Sequence, residues 1–258
     1  MTLRYATLRN LLFAGVCAAA TFGSPLMTSS ASATEPRVVA ELFTSQGCSS
    51  CPPADRLLHD LAKDSSILPL TMAVDYWDYL GWPDTLASST HSDRQRSYAV
   101  KRGDRSVYTP QLVVNGLSHV VGSRRNDVVQ SLKTAPAFTA KVAMSRSDMA
   151  LEVTIDGALP SGADKANVYF LRVSSAEEVE IRRGENAGRT ITYRNVVRSL
   201  QPIGVWTGEP AKIRLPKSEM RKGANDKCAI LVQVDTDDGP GEIIGANIMN
   251  LQMASAAQ

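Results

Sequence analysis

Two cysteines separated by two residues, Cys48 and Cys51, lie between a short apolar run, Val38 to Phe43, and a segment with helical periodicity. This layout constrains the fold because it predicts a β-strand that leads directly into a helix, with both cysteines at the junction. Backbone dipoles at a helix N-terminus favour a thiolate. The pattern is therefore typical of a redox-active dithiol.

The segment from Arg37 to Lys133 alternates between strand and helix patterns. Such alternation predicts a sheet that contains parallel strands and has helices on its faces. A tight hairpin is expected where Asn115-Gly116 separates two short apolar runs, since this pair favours a type I′ turn. The other expected elements are strands over 37–43 and 67–74, helices over about 50–63 and 85–102, and a final helix opened by Ser123.

The residues after Pro136 show the two-residue alternation of strands that are buried on one face. Leu151, Val153 and Ile155 alternate with polar residues, and similar runs occur over 168–173, 191–197 and 229–234. We therefore expect two domains after an N-terminal segment: an α/β domain over 34–137, then a mostly antiparallel all-β domain, a sandwich, over 138–258.

The N-terminus carries Arg4 and Arg9, an apolar stretch, and then Ala31-Ser32-Ala33. This pattern predicts a cleavable secretory signal over 1–33, and hence a periplasmic or secreted protein. No later run is long and uncharged enough for a membrane span in the mature chain.

Charge gives a further constraint on partners. Removing 1–33 takes two arginines from 28 basic residues and nothing from 26 acidic ones, which leaves 26 against 26. A net charge of zero argues against nucleic acid as a partner.

The segment over 37–133 resembles the thioredoxin fold in its short, glutaredoxin-like form. The resemblance rests on the strand and Cys-x-x-Cys helix, on Thr109-Pro110 before the hairpin, and on Gly122 before the last helix. The stretch Phe-Thr-Ser-Gln-Gly-Cys-Ser-Ser-Cys-Pro-Pro over 43–53, together with 74–78, is similar to a secreted bacterial thioredoxin-like family of undefined role. The chain is identified as a member of that family.

The resemblance implies that Cys48 is the attacking cysteine and Cys51 the resolving one. Their positions agree, since Cys48 at the helix start should be partly exposed and Cys51 buried beneath the first turn. A structural disulfide and a metal site are the alternatives. The resemblance also implies a cis bond between Thr109 and Pro110, beside the cysteines; an ordinary trans proline at a strand edge is the alternative.

The buried acid of thioredoxins has no exact counterpart here, because Leu42 takes its place. Glu41 is the candidate proton acceptor for Cys51, although it should lie on the opposite face of the strand. A surface acid on an edge strand is the alternative for this residue.

Acidic and aromatic residues follow the second predicted strand. Asp75, Trp77 and Asp78 are candidates for a substrate-facing rim, and the alternative is a loop that packs its rings over the core. In either case Arg94 and Arg96 on the next helix could pair with these acids.

The function indicated is thiol–disulfide exchange with exported protein thiols or disulfides and with a redox partner protein. Neither a cofactor nor a metal site is predicted. One alternative is a binding or scaffold protein with a structural disulfide, whose β domain holds the partner. Another is a carrier of copper or another soft metal, which the lack of a well-placed histidine weakens.

Overall fold

The computed structural model of the chain describes residue 2 and residues 35–147, 149–220, 223 and 225–251. Apart from Thr2, the predicted signal over 1–33 lies outside the described residues. Within the described part, no helix combines the length and the apolar character that crossing a membrane requires.

The secondary structure of the first half follows the expected alternation. Asn115 and Gly116 both have positive φ angles, 47° and 71°, at the predicted hairpin turn. The helices are α1 (Pro52–Leu61), α2 (Ser89–Arg102), α3 (Arg125–Thr134) and α4 (Lys217–Met220). The strands are β1 (Val38–Thr44), β2 (Ile67–Ala73), β3 (Gln111–Val114), β4 (Ser118–Val121), β5 (Ala140–Arg146), β6 (Ala150–Gly157), β7 (Ala166–Ile181), β8 (Arg189–Trp206), β9 (Ala211–Pro216), β10 (Lys227–Thr236) and β11 (Gly239–Asn250).

Strands from both halves of the chain form one mixed sheet of eight strands, in the order β11-β10-β7-β8-β2-β1-β3-β4. β1 is parallel to β2 and antiparallel to β3, and β8 joins the far side of β2 in parallel at Thr71 and Val196. The expected fold class, a thioredoxin-like (glutaredoxin-like) α/β domain followed by a separate all-β sandwich domain, is therefore wrong.

The physical reason for this error lies in the core. One buried cluster combines Val39 and Leu70 from the first half with Leu171 and Leu231 from the second. Alternation predicts which residues of a strand are buried, but it does not predict which strand lies beside it. β5, β6 and β9 form a second, three-stranded sheet, and their apolar side chains share a cluster with residues of β7, β10 and β11.

Helices cover both faces of the sheet around β1. Leu42 packs with residues of α1 and α3, whereas Phe43 packs with Tyr98 of α2. Because successive side chains of a strand point to opposite faces, Glu41 lies on the same face as Phe43. Glu41 and the helix that follows Cys51 are thus on opposite faces of the sheet.

β7 and β8 form a long antiparallel ribbon, with 16 and 18 residues in the two strands. The loop over 182–188 at its tip connects the two strands, and Asn186 in this loop is hydrogen-bonded to the cysteine segment after β1. A segment from the second half of the chain therefore contributes to the site described next.

Candidate functional site

Cys48 and Cys51 form a disulfide directly before α1. The N–H of Cys51 donates to the carbonyl of Cys48 at 3.2 Å, so the four residues make a closed turn. Cys51 is 0% exposed, as expected, but Cys48 is only 1% exposed. The expected partial exposure of Cys48 is wrong, because groups distant in the sequence cover this turn.

Thr109 and Pro110 lie beside the disulfide, and the peptide bond between them is cis, as predicted. The Ser50 hydroxyl lies 3.4 Å from Cys48 Sγ and donates to the Thr109 carbonyl at 3.5 Å. The structure therefore brings together the four residues predicted to form the centre of the site. Ser50 is exposed and connects them on the solvent side.

The three residues of the predicted rim have different surroundings. Trp77 Nε1 donates to Thr109 Oγ1 at 2.8 Å, which places the indole at the site. Asp75 accepts a hydrogen bond from the Ser92 hydroxyl, and Asp78 accepts one from the backbone N–H of Asp84. Trp77 is thus close to the cysteines, whereas the two carboxylates hold the surrounding loop. Their contact with a substrate stays a prediction.

Glu41 is fully buried in β1, which lies between two other strands, so the alternative of a surface acid on an edge strand is wrong. Arg94 donates to both of its carboxylate oxygens, from Nε at 2.6 Å and from Nη2 at 3.2 Å. Tyr98 adds a third hydrogen bond at 2.7 Å. Arg94 thus pairs with Glu41 and not with the rim acids, and Glu41 neutralises a buried cation between β1 and α2.

Asp55 is a buried acid that the sequence reasoning missed. It lies one helical turn after Cys51, and its N–H donates to the Cys51 carbonyl at 3.1 Å. Oδ1 accepts a hydrogen bond from Thr44 Oγ1 at 2.8 Å, while Oδ2 has no hydrogen-bond partner among the described residues. Burial raises the pKa of Asp55 from 3.8 to about 7. The group can therefore gain or lose a proton near neutral pH.

Two further acidic groups lie near Asp55. Asp84 accepts the N–H of Gln46 at 2.7 Å, and burial raises its pKa above the ordinary value. Burial also raises the pKa of Tyr193, and the charges of Asp55 and Asp84 add to this shift. The Tyr193 hydroxyl is buried without a hydrogen-bond partner in the described part of the chain. Asp55, Asp84 and Tyr193 thus form a buried acidic cluster.

A signal for Asp55 is present in the sequence. Cys51, Ala54, Asp55 and Leu58 fall on one face of α1 at helical spacing, and the four are buried together. A carboxylate on the apolar face of an amphipathic helix is an exception that marks a candidate functional group.

Asn186, at the tip of the β7–β8 ribbon, holds the cysteine turn in place. Its side-chain amide is 1% exposed and donates to the carbonyls of Gln46 at 2.9 Å and Cys48 at 2.8 Å. Trp82 Nε1 donates to Gln46 Oε1 at 2.8 Å. These contacts come from two separate segments and explain the burial of Cys48. Sequence offered no signal for Asn186, because its polar neighbours are typical of a solvated turn.

Replacing Asn186 with alanine is expected to accelerate reduction of the Cys48–Cys51 disulfide by dithiothreitol, because two buried hydrogen bonds that hold the turn are lost. Thiol release measured over time gives the rate. Asn247→Ala is the matched control, since its buried amide donates to Val142 in another part of the fold. Equal reduction rates in both folded variants would contradict a covering role for the ribbon tip.

Within the described residues, no three side chains of histidine, cysteine, aspartate or glutamate are grouped as they would be to hold a metal ion. Cys228 is the free cysteine of this part of the chain, and burial raises its pKa to about 12.

Comparison with known proteins gives a family and one solved structure. The family model described as "Protein of unknown function (DUF1223)" matches residues 39–233, which include the cysteine pair and the ribbon. The crystal structure of protein AGR_C_4864 from Agrobacterium tumefaciens is similar, with 32% sequence identity and a TM-score of 0.75 over 87% of this chain and 98% of that one. No curated protein matches. Neither finding supports the expected thioredoxin-like character.

Proposed function

Given that the chain belongs to the DUF1223 family, whose description names no chemistry, we propose from the geometry of the site that it is a thiol–disulfide oxidoreductase. The observation that carries the proposal is the Cys48–Cys51 disulfide, one helical turn from a buried carboxyl group with a pKa of about 7. A bond that only cross-links the chain does not require a proton donor and acceptor beside it. A disulfide that forms and breaks during a reaction does require them, because the cysteine that leaves must gain a proton.

In the proposed reaction, a substrate thiolate attacks Cys48 Sγ and the bond to Cys51 breaks. Cys51 leaves with the electron pair and takes the proton held by Asp55. A second substrate thiolate then attacks the substrate sulfur of the mixed disulfide and releases Cys48 as a thiolate. The protein disulfide is reduced to a Cys51 thiol and a Cys48 thiolate, Asp55 is left ionised, and two substrate thiolates become a disulfide. The reverse sequence transfers electrons the other way.

Ser50 and Thr109 have supporting roles in this proposal. While the disulfide is intact, the Ser50 hydroxyl donates to the Thr109 carbonyl, and at 3.4 Å from Cys48 Sγ it is placed to turn and donate to the thiolate that forms there. Asp55 takes the role of proton acceptor that the sequence reasoning gave to Glu41, because Glu41 already accepts hydrogen bonds at both oxygens.

The proposed substrates are exported protein thiols or disulfides, with a redox partner protein, in the periplasm or outside the cell.

The burial of both cysteines favours a second candidate, a binding or scaffold protein in which the disulfide is structural. In the enzyme, the tip of the β7–β8 ribbon must move before a substrate reaches Cys48. In the scaffold, it stays in place.

Trapping the mixed disulfide tests the proposal. In the reverse direction, Cys51→Ser is expected to accumulate adducts through Cys48, because Cys48 can still attack a substrate disulfide but the thiol that would attack Cys48 and release the substrate is missing. Non-reducing gels of cells that express the full chain reveal such adducts. Cys48→Ser and the double variant are the controls and should form none.

Absence of adducts that depend on Cys48, in a variant that is folded and exported, would favour the scaffold. Adducts through Cys228 would also contradict the assignment, because the thiol of that residue is buried and has a raised pKa.

A further inference from the structure

A groove runs along α1 from the cysteine end of the helix to its C-terminal end. One wall is a stripe of α1 residues at helical spacing, and the other wall is the first part of β8. Two cavities of about 560 and 340 Å³, which share His59 and Lys63, make up this α1–β8 groove. Pro52, the residue after Cys51, lies at one end, and Lys227 lies at the other.

The groove has an excess of positive charge. Asp60 is the carboxylate among its lining residues, and it is bound by Arg125 at 2.7 Å and by Lys63 at 3.1 Å. Five cations line the groove among the residues that the structure describes: Arg56, Lys63, Arg125, Arg194 and Lys227. Because five cations face one carboxylate, the groove favours an anionic ligand.

Arg194 and Lys227 are half-buried, and each has a hydrogen-bond partner that is not a carboxylate. Arg194 Nε lies 3.4 Å from His59 Nδ1, and Lys227 Nζ donates to Asn195 Oδ1 at 3.1 Å. Burial lowers the pKa of Lys227, the neighbouring Asp226 opposes this shift, and Arg194 adds to it. A ligand carboxylate placed between the two cations would relieve their repulsion.

The other acids near the groove are on β7 and at its Lys227 end. Glu178 and Glu180 on β7 lie opposite Thr192 and Thr190, one strand further from α1. Asp226 is next to Lys227, and its carboxylate is held by hydrogen bonds from the N–H and the hydroxyl of Ser175, which lines the second cavity. Acidic side chains of a ligand would therefore point towards α1.

The backbone of β8 contributes an open edge to the groove. Over 189–194, β8 pairs with β7 on one side, whereas Val196 is its point of pairing with β2 on the other. Along 189–193 that second edge has no neighbouring strand among the strands described. An unpaired edge of this kind can pair with an extended chain. α1 has 10 residues and is thus about 15 Å long, which matches four or five residues of extended peptide at about 3.3 Å each.

We propose that the α1–β8 groove binds an extended acidic segment of a protein substrate, with its backbone paired to the edge of β8 and its carboxylates facing the cations. This inference deepens the proposed function and rests on it, since the groove begins beside Cys51 and would hold the substrate chain next to the disulfide.

Fluorescence anisotropy of a labelled probe peptide of about eight residues, with alternating glutamate and valine, tests binding to the oxidised full chain. Affinity is expected to fall as salt rises. Arg56→Glu combined with Arg125→Glu should weaken binding about tenfold or more. The matched control is Lys212→Glu with Arg214→Glu on β9, which makes the same charge change at exposed positions of the other sheet. It should bind as the wild type does.

Two further versions of the probe test the backbone pairing. One carries methyl groups on the backbone nitrogens of its odd-numbered residues and the other on those of its even-numbered residues. One version should bind and the other should not, because only alternate N–H groups of an added strand face the edge of β8. Equal binding of both versions would overturn the pairing. Binding of a thymidine hexanucleotide as tight as that of the probe would overturn the assignment to a peptide. If the β9 control variant weakens binding of the probe as much as the Arg56 and Arg125 variant does, the location in the α1–β8 groove is overturned.

The two proposals fail in different ways. If Cys51→Ser accumulates adducts but the probe does not bind, the groove is wrong and the oxidoreductase stands. If the probe binds in the groove but no adducts form, the peptide site belongs to a binding protein and the oxidoreductase is wrong.

Discussion

Replacing Arg94 with methionine is expected to destabilise the folded protein by about 3–5 kcal/mol, because it leaves the Glu41 carboxylate without its partner in the interior. Arg94 holds both oxygens of Glu41 and also donates to Tyr98 and to Gln233 of β10. Urea unfolding at pH 7, followed by circular dichroism, gives the free energy of unfolding.

Arg96→Met is the matched control on the same helix. Arg96 pairs with Asp93 in solvent, with side chains that are 51% and 71% exposed, and its loss should change stability by less than about 1 kcal/mol. Adding Glu41→Leu to Arg94→Met should recover part of the loss, since the uncompensated charge is then removed. Equal stabilities of the Arg94 and Arg96 variants would show that the buried pair contributes nothing specific.

Stability of the oxidised protein should decrease between pH 4 and pH 7, and Asp55→Asn should reduce that decrease. Burial raises the pKa of Asp55 from 3.8 to about 7, so in this range the folded state binds a proton that the unfolded state releases. The free energy of unfolding then falls as pH rises, and it levels off above about pH 7. Linkage bounds the Asp55 contribution at about 4 kcal/mol.

Unfolding curves of the wild type and of Asp55→Asn at pH 4, 5.5, 7 and 8 measure this contribution. Asp84 and His91 also have shifted pKa values, but they are present in both proteins, so the difference reports Asp55 together with its interaction with Asp84. Asp60→Asn on the exposed side of α1 should keep the decrease of the wild type. A decrease as steep in Asp55→Asn as in the wild type would show that Asp55 is ionised throughout this range.

The local elements around the cysteines could be predicted from sequence because short-range physics determines them. The apolar run of β1, the helical spacing after Cys51 and the Asn115-Gly116 turn each depend on neighbours a few residues away. The same reasoning predicted the cysteine pair and four strands of the second half, β6, β7, β8 and β10, but not β5, β9 or β11. The cis bond at Pro110 was implied by the family resemblance and not by short-range physics.

The partners of these elements could not be predicted in this way. Glu41 meets an arginine 53 residues later, and the carbonyl of Cys48 accepts a hydrogen bond from Asn186, which lies 138 residues away. Nothing in the local pattern around Asn186 distinguishes it from a solvated turn residue. Asp55 is an intermediate case, since its position on an apolar helix face was visible, whereas its raised pKa depends on burial by the whole fold.

By itself, the sequence determined where the dithiol lies and which residues form most of the strands and helices, since backbone propensity, side-chain alternation and turn chemistry act over a few residues. Only the tertiary structure decided that β8 extends the sheet beside β2, that Asn186 covers the cysteine turn and that Asp55, not Glu41, is the buried acid near it. The reason is that strand neighbours, burial and the resulting pKa shifts depend on contacts between distant segments, which no local pattern encodes.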